Sequence, residues 1–186
     1  MRKLIGLLLA VFILCGCKAD NGEISAVMDL RTRLHKCQGC SFSAAVTADY
    51  NTMVYQFTVD CVVNPQGDIT FTVRNPESIS GITGMIDGQG GKLTFDDHML
   101  AFDTLADGQI SPVSAPWVMM KTLIGGYISA AGMDGEQIRG IFHDSYREQA
   151  LELDIWFDES ILPKRCEILW QGRRVLSLDV DNFVIL

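Results

Sequence analysis

Two alternating runs joined by a short polar link constrain this chain more than any other feature. In residues 40–48, Cys40, Phe42, Ala44, Val46 and Ala48 alternate with Ser41, Ser43, Ala45 and Thr47. In residues 53–61, Met53, Tyr55, Phe57, Val59 and Cys61 alternate with Val54, Gln56, Thr58 and Asp60. A period of two is that of a strand with one face buried. Asp49-Tyr50-Asn51-Thr52 has the residues of a tight turn, so the runs predict an antiparallel hairpin. With Tyr50 and Asn51 at its centre, Asp49 faces Thr52, Phe42 faces Val59 and Cys40 faces Cys61.

The same pattern returns along the chain. After the turn Asn64–Gly67, Ile69, Phe71 and Val73 predict a third strand, and residues 82–86, 92–95 and 99–102 predict three more. Residues 138–143, 150–157, 165–170 and 174–179 supply the strands of the C-terminal part, residues 180–186 finish against the sheet, and Gly and Asp-Gly steps lie between many of the segments. Two stretches break the alternation. Ile24, Val27, Met28, Arg31 and Leu34 fall at helical spacing and predict a helix ending near Lys36. Ser114 can cap a second helix with Pro116 in its first turn. Its apolar stripe reads Trp117, Met120, Ile124, Tyr127, Ile128 and Ala131, running through Gly125-Gly126. The expected class is α+β, mostly β, in the order helix, about six strands, helix, about four strands.

The N-terminus is of a different kind. Arg2 and Lys3 precede an apolar run from Leu4 to Leu14 that is too short to span a bilayer, which takes about 20 residues. This predicts a cleaved signal over residues 1–16. Its end, Leu14-Cys15-Gly16-Cys17, resembles the lipobox of bacterial lipoproteins. That resemblance implies that Cys17 carries a diacylglyceryl group and becomes the new N-terminus. Residues 17–22 are then a short lipidated tether, and residues 23–186 one domain on the extracytoplasmic face of a membrane.

Downstream of residue 16 the chain has 23 acidic and 13 basic side chains. Such a surface disfavours nucleic acid and anionic headgroups. Of the cysteines, Cys37, Cys40, Cys61 and Cys166 remain in a compartment where disulfides form. Facing strand positions favour a Cys40–Cys61 disulfide, which leaves Cys37 and Cys166 as the other pair. Cys37-Gln38-Gly39-Cys40 has redox and zinc spacing, but it lacks the βαβ setting of the first and the second close pair of the second. His35, His98 and His143 share no metal spacing, and Asp96-Asp97-His98 reads as a polar turn. No G-x-S-x-G, H-E-x-x-H or P-loop occurs. The sequence thus predicts a protein that is not an enzyme, with no cofactor and no metal.

The element order, the lipobox and the C-terminal segments Leu162-Pro163, Glu167–Trp170, Val175-Leu176 and Val180–Phe183 together resemble the LolA/LolB-like lipoprotein-carrier superfamily. The resemblance implies a strongly curved antiparallel sheet, an incomplete β-barrel, with helices on its concave face. It also implies an anchored lipid-binding or receptor lipoprotein rather than a shuttling carrier. Phe42, Val46, Tyr55, Phe57 and Phe71 on the strands, facing Trp117, Met120, Ile124 and Tyr127 of the second helix, are the expected lining of a cavity for an acyl chain or lipid. The alternative is a non-enzymatic surface lipoprotein that binds another envelope protein and has no cavity.

Overall fold

A computed structural model describes residues 22–86, 93–95 and 105–186. The expected strand at residues 99–102 and the lipidation site Cys17 lie outside the described residues. The chain forms α1 (Gly22–Lys36), β1 (Cys40–Asp49), β2 (Val54–Val63), β3 (Ile69–Asn75), β4 (Thr83–Ile86) and β5 (Leu93–Phe95). It continues through α2 (Ala115–Gly125), β6 (Tyr127–Asp134), β7 (Gln137–His143), β8 (Glu152–Phe157), β9 (Pro163–Trp170) and β10 (Arg173–Ile185). All described strands join one open, curved antiparallel sheet in the order β5-β4-β3-β2-β1-β10-β9-β8-β7-β6. It consists of two meanders of five strands, and the first and last strands of the chain pair at its centre.

Registers across the sheet explain why alternation was so visible. The row Gly140–Ile155–Cys166–Leu178–Val46–Phe57 crosses six strands, and every member is buried. The helices cover this concave face. α1 buries Val27, Leu30 and Leu34, and α2 buries Val118, Met119, Met120 and Leu123 among others. Phe42 and Phe183 stack on adjoining strands with ring centroids 5.4 Å apart. On each arm of the sheet a phenyl ring lies against bare backbone. A Cβ on Gly84 would come within 2.4 Å of the Phe71 ring, and one on Gly140 within 2.6 Å of the Phe142 ring.

The two helices are tied end to end by Arg31. Its Nε donates to the Leu123 carbonyl at 2.8 Å and its Nη2 to the Gly126 carbonyl at 2.9 Å. These are carbonyls at the end of α2, where no further helical donor follows. The outward face carries charge: Trp156 sits between the guanidinium groups of Arg139 and Arg165, 5.2 and 5.3 Å from its ring centre.

Three expectations are corrected. The β1–β2 register is displaced by two residues, with Asp49 opposite Val54, Phe42 opposite Cys61 and Cys40 opposite Val63. The link is longer than two residues: Tyr50 N–H bonds the Met53 carbonyl at 3.0 Å, and Asn51 N–H bonds Asp49 Oδ1 at 2.8 Å. Cys40 and Cys61 therefore do not face each other, and Cys37, Cys40, Cys61 and Cys166 are all unpaired thiols. Finally, α2 stops at Gly125. Gly126 is extended, with φ −70° and ψ 166°, and its N–H bonds the Thr122 carbonyl at 2.7 Å. Tyr127, Ile128 and Ala131 accordingly belong to β6 and not to a helical stripe.

Candidate ligand-binding site

The expected lining residues fall into three groups. Phe42, Val46, Phe57, Phe71 and Met120 meet in one core and are buried. Trp117 and Ile124 are half-buried at the margin of that core. The Lys121 ammonium stands 4.8 Å over the Trp117 ring. Tyr55 and Tyr127 lie apart from the rest. Tyr55 ends an inward-facing row beyond the cover of the helices, exposed and edge-on to Tyr50 at 5.6 Å. Tyr127 stacks on His143 at the sheet edge, with ring centroids 6.2 Å apart.

Among the described residues, hollows open at each end of β1. At the β1 start, a cleft of about 240 Å³ is bounded by Leu34 of α1, Cys37, Cys40, Val63, and Met120 and Ile124 of α2. Its rim is polar, with His35, Asn64 and Gln66. The cleft exists because α1 ends at Lys36 and the chain must reach β1 through Cys37–Gly39, which leaves the edge of the helix layer open there. Its buried thiol, Cys40, is held protonated. Burial, and then the neighbouring Cys37, push the Cys40 thiol up to about 12, and Cys37 Sγ donates to the Leu34 carbonyl at 3.1 Å. Apolar side chains on one side of this hollow and polar groups on the other suit an alkyl chain whose polar end stays in water.

At the far end of β1 a wider hollow of about 500 Å³ is lined by Tyr50, Leu105, Trp170 and Val175, with Asn51, Asp107, Gln171 and Arg173. Arg173 holds two turns together there, donating to the Asp49 carbonyl at 2.9 Å and to Asn51 Oδ1. The sequence reading missed this hollow. It placed Tyr50 and Asn51 in a turn, but the residues come from three turns that only the fold brings together. Among the described residues no three His, Cys, Asp or Glu side chains gather to hold a metal, and no helix is long and apolar enough to cross a membrane.

By sequence, no protein family and no curated protein matches the chain. Among solved structures, the chain is similar to an uncharacterized conserved protein from Thermus thermophilus. The TM-score is 0.44 at 12% identity, over 88% of this chain and 87% of that one. It is similar to a LolA superfamily protein from Nitrosomonas europaea, with TM-score 0.40 at 7% identity over 86% and 93% of the two chains. It is also similar to the Mycobacterium tuberculosis lipoprotein LppX, with TM-score 0.42 at 10% identity over 89% and 96%. Neither ligand nor partner is carried over from these proteins.

Proposed function

We propose that residues 1–16 are a signal, that Cys17 anchors residues 17–22 to the outer face of a membrane, and that residues 23–186 are one non-enzymatic domain binding an acyl chain or lipid between sheet and helices. The observation that supports ligand binding is the cleft where sheet and helix layers part, with Leu34, Cys40, Val63, Met120 and Ile124 as its apolar side. Its volume of about 240 Å³ suits the end of a chain, not a whole lipid. The polar part then lies at the rim formed by Asn64, Gln66 and His35.

Fluorescence titration of the mature domain with lysophosphatidylcholine tests this reading. Saturable binding that is lost in Ile124→Asp, while circular dichroism is unchanged, supports it. No response to lysolipid or fatty acid, together with no copurified lipid in native mass spectrometry, overturns it. A second reading then takes its place, favoured by the burial of Phe42, Val46, Phe57 and Phe71 in one core: a surface lipoprotein whose partner is another envelope protein.

A further inference from the structure

We infer that the flank formed by the first turns of α1 and the outer end of β6 rests on the same bilayer that anchors the chain, and so fixes the orientation of the domain. The inference rests on the proposed lipid attachment at Cys17. Three observations carry it.

The first is placement. α1 starts at Gly22, five residues after Cys17, so a fully extended tether reaches only about 17 Å. The beginning of α1 is therefore confined near the membrane surface whatever the rest of the domain does.

The second is chemistry. α1 buries one stripe, Val27, Leu30 and Leu34, yet leaves the apolar side chains Ile24 and Met28 on its neighbouring stripe 38% and 45% exposed. Continuing that stripe, Arg31 reaches the carbonyl of Gly126, the residue before Tyr127. Tyr127 is exposed and packs against exposed Tyr146, with ring centroids 5.6 Å apart. Two aliphatic side chains followed by two tyrosines match a membrane interface, where aromatic rings sit at headgroup depth.

The third is charge. Glu23 and Asp29 flank these residues on α1, and the mature chain is strongly acidic. Attraction to anionic lipid cannot drive the contact. It must be apolar, suited to a zwitterionic bilayer and insensitive to salt.

The test uses full-length lipidated protein in phosphatidylcholine vesicles containing dibrominated phosphatidylcholine. Met28→Trp places a reporter on the flank. Val62→Trp places one on β2, a position that is exposed but far along the sheet order from β6. Each is read as the difference from the parent protein, after circular dichroism shows an unchanged fold. The expected result is at least threefold greater quenching for Met28→Trp, retained in 1 M salt. Equal quenching at the two positions overturns the inference, as does quenching that salt abolishes. Mass measurement of Cys17 separates the two failures. An acylated protein with equal quenching loses only its orientation, whereas an unacylated protein loses the anchor and with it this inference.

Discussion

Asp154 forms an ion pair with Arg139 on the outward face of the sheet, yet Asp154 is only 3% exposed. It sits opposite Ile141 on one side and Glu167 on the other, one row from the Arg139–Trp156–Arg165 stack. Those neighbours cover it, and its Oδ1 has no partner among the described protein atoms. Removing one member of a buried pair usually costs about 3–5 kcal/mol, because the other charge stays buried. Arg139 is itself more than a third exposed, so solvent screens part of that cost. Arg139→Met should destabilise the domain by roughly 2 kcal/mol in denaturant unfolding, and adding Asp154→Leu should recover most of the loss.

The four thiols should separate by accessibility. Cys37 is half-exposed, while Cys40, Cys61 and Cys166 are buried. In native protein at pH 8, iodoacetamide should modify Cys37 first and reach the others only on unfolding, as mass spectrometry would show. Burial suppresses the ionisation of all three inner thiols, pushing Cys40 up to about 12. An unfolded thiol ionises near pH 8.5. The stability these thiols contribute is complete below that pH and is lost as pH rises towards their folded values, so unfolding midpoints should fall steadily above pH 9.

Core and cleft should respond differently to truncation. Phe71 is 2% exposed in the core, so Phe71→Ala should cost about 3–5 kcal/mol. Ile124 borders open space, and Ile124→Ala should cost roughly 1 kcal/mol, below the usual range for a packed isoleucine. The same variant should weaken lysolipid binding, whereas Phe71→Ala should alter binding only in proportion to unfolding.

Arg31→Met should remove the donors that close the end of α2. Leaving buried acceptors unpaired costs about 1–3 kcal/mol. Native-state hydrogen exchange should then quicken at Gly126 and Tyr127 before it changes in β1 or β10.

Most of the fold was legible because one face of nearly every strand is buried, and period two reports that face directly. The β1–β2 error shows the limit of such a signal. A displacement of two residues keeps Phe42, Val46, Phe57 and Val59 facing inward, so burial cannot distinguish the two registers. The turn decides between them, through the contacts of Tyr50 and Asn51 that alternation does not encode. The second helix was overextended for a related reason. Tyr127, Ile128 and Ala131 fit helical spacing from Ile124, and only the backbone at Gly126 ends the run. The expected lining was read from inward-facing strand residues. Phe42, Val46, Phe57 and Phe71 are in the core and Tyr55 is exposed. Met120 and Ile124 of the helix border one of the hollows that open where elements end, at Cys37–Cys40 and at the turns around Tyr50 and Trp170.

The phenyl rings over Gly84 and Gly140 tie the packing of the concave face to two positions that carry no side chain. Phe71 on β3 lies over Gly84 on the neighbouring β4, whereas Phe142 lies back along its own strand, β7, over Gly140, so each ring takes the space a side chain would fill. How deep each ring sits is thereby set by what is missing from two backbone positions. Alanine at either site would stand the ring up into the interior, and a protein of the same strand order would enclose a different volume. Gly84 and Gly140 are the gauge of the vessel, although neither would touch its contents.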